Sequence, residues 1–120
     1  MEGRLRSAEI LEKAADLYRS ETVDWCQGSW IEHQGEGAEF VSVCAEGALL
    51  LAAGFSFEEI QILSDTGVSN WVKSMDWNHA RTRLHIHLNT SVFAWNDWRE
   101  RTKQDVIDAM EATAKDLRNG

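Results

Sequence analysis

A single residue separates His85 from His87, and histidine is the commonest metal ligand in proteins. On a strand both side chains would lie on one face and could hold a metal together, whereas on a helix residues two apart do not share a face. A third ligand would have to come from His33, His79, a cysteine or a carboxylate, and the sequence spacing does not indicate which. The pattern therefore favours surface histidines, and we expect neither a metal nor another cofactor.

Cys26 and Cys44 are the two cysteines of the chain. A cysteine nucleophile needs a thiolate within hydrogen-bond reach of a base, and neither residue lies in a motif of that kind. Cys44 is the first residue of a predicted helix, where a thiol pKa can fall, but the apolar neighbours Val43 and Ala45 favour a buried structural thiol. Because the N-terminal segment has no secretory signal, we expect two reduced thiols in a cytoplasmic protein.

Trp95-Asn96-Asp97 precedes the last predicted helix. Asn and Asp side chains commonly bond to local backbone groups in such a position, so one interpretation is that the motif fixes the start of the helix, with Trp95 packed inward. The alternative is a polar pocket in which Asn96 or Asp97 binds a ligand beside Trp25 and Gln27. That pocket would belong to a small-molecule binder or an enzyme.

Net charge and the length of the apolar runs argue against two classes of partner, nucleic acids and membranes. Twenty acidic and twelve basic residues give a formal net charge of −8, which repels nucleic-acid phosphates. The longest apolar run, residues 48–53, is far shorter than the ~20 residues that a membrane-spanning helix needs. We therefore expect binding to neither nucleic acid nor membrane, although the acidity leaves open that the protein imitates DNA.

Six tryptophans are the unusual part of the composition. Most should pack in the core, but we expect Trp98, between Asp97 and Arg99, to be the most exposed. An exposed tryptophan often anchors a protein interface. The leading hypothesis is therefore a non-enzymatic protein that binds another protein or a second copy of itself, with Trp98 at the contact.

The length of 120 residues, with no linker or internal repeat, predicts a single domain, residues 1–120. Hydrophobic periodicity places it in the α+β class: mainly helical, with a small β-hairpin packed on the helices.

Helices are predicted over residues 7–20, 44–53 and 102–118, the last opening with a capping box of Thr102 and Asp105, and a further helix opens with the capping box of residues 56–59. Gly47 inside the second of these helices indicates close approach of another backbone. Gly67 is expected to end a helix and Ser69 to cap another. Strands are predicted over residues 23–33 and 39–43. Residues 91–95 have the composition of a short extended segment.

Residues 76–89 fit two patterns, because Leu84, Ile86 and Leu88 alternate as in a strand while Trp77, Ala80 and Leu84 also share a helical face.

Three short motifs together resemble an uncharacterised family, domain of unknown function 6197, of actinobacterial and phage proteins. Residues 25–28 resemble its W-x-Q-G, residues 44–49 its C-x-x-G-A-L, and residues 95–106 its W-N-D-x4-T-x3-V. The resemblance covers most of the chain and implies a helix over residues 76–89. It implies no activity, and it implies a bacterial or phage accessory protein in the host cytoplasm.

Overall fold

The computed structural model describes residues 2–33, 41–66 and 71–120. In that part of the chain, six helices and a three-stranded sheet enclose one hydrophobic core. The elements are α1 (Glu2–Leu17), β1 (Val23–Trp25), β2 (Ile31–His33), β3 (Val41–Val43), α2 (Ala45–Ala52), α3 (Phe57–Thr66), α4 (Trp71–Leu88), α5 (Val92–Asn96) and α6 (Lys103–Asn119). The predicted α+β class, mainly helical, is confirmed.

The sheet has the strand order β1-β3-β2. β2 and β3 pair antiparallel, with Ile31 opposite Val43, which is the expected hairpin; its connecting residues 34–40 lie outside the described residues. The stretch 23–33 is not one strand, however. It bends after Trp25, where Gly28 adopts a φ of +88°, and its first part pairs with β3 in parallel. The bend allows one segment to flank β3 on both sides.

Helix α2 follows β3 directly. Cys44 is its N-cap, with Sγ accepting a hydrogen bond from the Gly47 N–H at 3.4 Å. A Cβ at Gly47 would overlap the carbonyl oxygen of Trp30, so the expected close approach of another backbone is confirmed. Gly54 follows the helix at a φ of +105°, which a side chain would disfavour. These contacts fix α2 against the hairpin.

The structure corrects two predictions of secondary structure: the bounds of the first helix and the conformation of residues 91–95. α1 begins at Glu2 rather than at Ser7, which is buried within the helix on the same face as Leu11, and it ends at Leu17 rather than at Ser20. The segment 91–95 is helical, not extended, because Ser91 Oγ accepts the Ala94 N–H and caps α5. The helix over residues 76–89 is confirmed as the greater part of α4, and boundaries expected at residues 67 and 69 lie outside the described residues.

Helix α6 opens with the predicted capping box. Thr102 Oγ1 accepts the Asp105 N–H at 3.1 Å, and the Asp105 carboxylate accepts the Thr102 N–H at 3.1 Å. Its apolar face packs on α1, and two arginine–carboxylate pairs tie α6 to α1 and to the turn that follows α1. They join Arg19 to Glu111 at 2.7 Å and Arg118 to Glu12 at 2.6 Å.

Candidate functional site

The three sequence motifs meet at Asn96, whose side chain is completely buried. Its Oδ1 accepts hydrogen bonds from Trp25 Nε1 at 2.7 Å and from the Ala45 N–H at 2.9 Å. Its Nδ2 donates to the Cys26 carbonyl at 3.1 Å and to Asp97 Oδ1 at 3.0 Å. A carboxamide offers two donors and one oxygen acceptor with two lone pairs, so its capacity is filled. Asn96 thereby joins β1, α2 and α5.

Gln27 and Gly28 extend this network from the bend after β1. Gln27 Nε2 donates to the carbonyls of Asn96, at 3.0 Å, and of Trp98, at 2.8 Å. The Gly28 N–H donates to Asp97 Oδ1 at 3.0 Å. We call the residues that make these hydrogen bonds the Asn96 cluster. Its polar groups are bonded to one another, so the motif has a structural role, but its side-chain bonds run to β1, to the bend after β1 and to the start of α2 rather than to the start of the last helix. Ligand binding there stays a prediction.

The side chain of Arg101 lies between two tryptophans at the edge of the Asn96 cluster. Its guanidinium carbon is 3.8 Å from the ring centroid of Trp95 and 4.9 Å from that of Trp98. Its Nε donates to the Trp95 carbonyl at 2.9 Å. Trp95 is partly buried, whereas Trp98 is 52% exposed, the most exposed tryptophan among those whose side chains are described. The expectation for Trp98 is confirmed to that extent.

A second polar arrangement, which the sequence analysis missed, centres on Glu46 and Arg81. The Glu46 side chain is 8% exposed, and its Oε2 lies 3.3 Å from Arg81 Nη1. Arg81 Nη2 donates to Asn78 Oδ1 at 2.6 Å, and the guanidinium stacks 4.6 Å from the Trp77 ring centroid. The Trp77 indole donates to the Glu46 carbonyl at 3.2 Å. The guanidinium is thus held from three sides.

Above this ion pair the surface forms a groove of about 470 Å³ between α2, α4 and α5. We call it the Arg81 groove; its lining residues are Glu46, Arg81, Thr82, His85, Ser91, Val92 and Phe93. Phe93 is 49% exposed. One signal in the sequence could have pointed here, since Glu46 is a charged residue in the otherwise apolar start of α2 and a buried charge needs a partner.

Residues 3–116 match the family model named Family of unknown function (DUF6197). The chain belongs to this family. The match spans all three motifs, including the residues of the Asn96 cluster. No curated protein and no solved structure matches this DUF6197 member.

Both thiols of this DUF6197 protein are buried and free of disulfide bonding, as expected. Burial raises the pKa of Cys44 to about 12, and the nearby Glu46 carboxylate acts in the same direction. The Gly47 N–H at the helix start lowers this pKa, but burial outweighs it. Burial also raises the pKa of Cys26 to about 12. At neutral pH both groups are therefore thiols, which argues against a nucleophilic role.

The histidines of α4 do not form a pair. His85 lines the Arg81 groove, while His87 Nδ1 lies 3.5 Å from Asp116 Oδ2 on α6. Both are exposed, as the helical alternative requires. Across residues 2–33, 41–66 and 71–120, no three His, Cys, Asp or Glu side chains are grouped so that they could hold a metal ion. Among the helices in those same ranges, none is long and apolar enough to cross a membrane.

Proposed function

We propose that the protein is non-enzymatic and acts by binding another protein at a face centred on Trp98. One observation carries the proposal: Trp98 is 52% exposed although its carbonyl and its ring are both held by neighbouring groups. The Trp98 carbonyl accepts a hydrogen bond from Gln27, and the ring packs on the Arg101 guanidinium. A large aromatic group that is already ordered loses little entropy on binding, and such groups dominate the energy of interfaces.

Charge narrows the class of partner. The net charge of −8 attracts a basic protein surface at long range and opposes association of two copies. We therefore favour a partner that is basic overall and has an apolar pocket for the indole; Arg101 beside the Trp98 ring disfavours basic groups at the rim of that pocket. A bacterial or phage-infected cytoplasm is the proposed setting, and the two free, buried thiols support a reducing compartment.

DNA mimicry receives less support from the arrangement of charges. A mimic needs regular rows of carboxylates that stand in for phosphates. On α1 and α6, however, Glu12 is bonded by Arg118, and Glu111 by Arg19, so basic groups interrupt the acidic surface.

The experiment is a capture of partners on immobilised protein from lysate of the source cells, followed by affinity measurement with the purified partner. Trp98→Ala should weaken binding at least about 30-fold, the equivalent of ~2 kcal/mol for an interface hot spot. The variant keeps the backbone carbonyl that Gln27 bonds, so its free energy of unfolding should lie within about 1 kcal/mol of the wild-type value.

Ile62→Ala is the matched control, because Ile62 is an apolar side chain of α3 with a similar exposure of 54%. It should bind the partner with the wild-type affinity. Association should also slow as salt is added, because a basic partner is steered by charge. Equal affinity of the wild type and Trp98→Ala would contradict the proposed face, and capture of a second copy of the chain alone would contradict the proposed partner.

A further inference from the structure

We propose that the Arg81 groove binds a small organic oxyanion, with the carboxylate or phosphate on Arg81 and an apolar or aromatic group against Phe93. This inference concerns a different part of the molecule from Trp98 and is independent of the proposed protein interaction. The groove volume of about 470 Å³ falls within the range of small-molecule sites. Its lining combines a few polar groups with an exposed aromatic ring, as such sites do.

The accessible charge in the groove is the guanidinium. The Arg81 side chain is 38% exposed, whereas that of Glu46 is 8% exposed and lies beneath it. Of the five N–H donors of a guanidinium, the bonds to Glu46 and Asn78 use two. Arg81 therefore keeps donors for a ligand while its position is already fixed.

The other polar groups of the groove also suit an oxyanion. Thr82 and His85 come from the same helix as Arg81, and a hydroxyl and an imidazole can each donate a hydrogen bond. Phe93 faces them from the first turn of α5 and is 49% exposed. A ligand that carries an aromatic ring next to its anionic group would contact both sides of the groove.

Glu46 sets the mode of recognition. Because its carboxylate already balances the charge of Arg81, attraction by net charge contributes little, and the protein as a whole is acidic. The planar fork of a guanidinium matches two oxygens of a carboxylate or a phosphate, and an ammonium group does not. Binding should therefore depend on the shape of the Arg81 side chain more than on its charge.

The test is a titration of the isotope-labelled protein, followed by NMR, with phenylacetate, phenyl phosphate and the neutral phenylacetamide. We expect saturable shifts at Arg81, His85 and Phe93 with one of the two anions, with a dissociation constant in the millimolar range for so small a probe. The anion that binds more tightly identifies the oxyanion as carboxylate or phosphate. Absence of saturable shifts with both anions, or equal binding of phenylacetamide, would overturn the proposal.

Variants separate the groove from the rest of the surface. Arg81→Lys should weaken anion binding about 10-fold although the charge is kept. Phe93→Ala should weaken it about 5-fold, and since this ring is half exposed the fold should persist. Ile86→Ala is the control, because Ile86 is 64% exposed on α4 but lines another groove beside His79. Weakening by Ile86→Ala equal to that by Phe93→Ala would place binding elsewhere and refute the assignment.

Discussion

The Asn96 cluster and the Arg81 groove include consecutive residues of α2, Ala45 and Glu46, but their polar groups differ in accessibility. The Ala45 N–H points to the buried amide of Asn96, while the next side chain, Glu46, supports a guanidinium that faces an open groove. In the cluster the polar groups are bonded within the chain. In the groove, Arg81 retains donors toward the surface.

This difference shows that the residues of a recognisable sequence motif and the residues of a proposed binding site need not be the same. The W-x-Q-G and W-N-D motifs are the most recognisable parts of the chain, and their side chains join three elements of the fold. The groove has no motif, yet it presents ordered polar groups to solvent, which is what recognition of a ligand requires. In this protein the recognisable residues therefore support architecture, and the sites proposed for binding lie beside them.

The largest expected effect comes from Asn96→Ala. Removal of the amide leaves the buried Ala45 N–H and the partly buried Trp25 indole N–H without an acceptor, and each unsatisfied donor costs about 1–3 kcal/mol. We expect a loss of about 4 kcal/mol in the free energy of unfolding, measured by denaturant titration. Asn119→Ala, at an exposed position, is the control and should change stability by less than about 0.5 kcal/mol. A loss of under about 1 kcal/mol for Asn96→Ala would reopen the ligand interpretation of the cluster.

High pH should destabilise the protein through the thiols that flank the cluster. Burial raises the pKa of Cys26 and Cys44 from 9.0 to about 12, so in the unfolded chain they lose protons first, and stability falls as pH rises from 9.0 towards 12. Burial raises the pKa of Tyr18 as well, which adds a contribution of the same sign above pH 10.

At about pH 11 the deeply buried Cys44 alone should account for a loss of about 3 kcal/mol, since two pH units at ~1.4 kcal/mol each separate that pH from 9. Denaturant titrations at about pH 8 and pH 11 would measure it. Cys44→Ala should show a shallower dependence on pH, whatever its stability at neutral pH. Equal wild-type stability at both values would mean that the thiols are not shielded from water.

Features set by residues close in sequence could be predicted. The capping box of Thr102 and Asp105 was recognised because its two hydrogen bonds span three residues. Gly47 was expected to allow close backbone approach, since glycine inside a helix otherwise lowers stability. The segment 91–95 was predicted wrongly. Its Val, Phe and Trp content suits a strand, but the N-cap bond of Ser91 to the Ala94 N–H stabilises a helix there.

Features set by distant residues could not be predicted in the same way. Trp25 and Gln27 were grouped with Asn96 and Asp97 in the sequence analysis, and the structure brings these four together, but bonded to one another and to backbone groups. Neither motif indicates which partner each amide takes. Glu46 and Arg81 are 35 residues apart and share no pattern, so only the packing of α4 on α2 creates the groove.

Arg81→Gln tests whether a substitution in the groove lowers the free energy of unfolding less than Asn96→Ala does in the cluster. Loss of the guanidinium leaves the Glu46 carboxylate, 8% exposed, without its cation, and we expect a loss of about 2 kcal/mol in the free energy of unfolding. The partial exposure of Arg81 keeps this cost below that of removing Asn96. The double variant Glu46→Gln/Arg81→Gln removes the uncompensated charge and should recover most of the loss. Denaturant titration of both variants measures the recovery. If the double variant were no more stable than Arg81→Gln, then Arg81 would stabilise the fold mainly by packing on Trp77, and the ion pair beneath the groove would not be what holds the guanidinium in place.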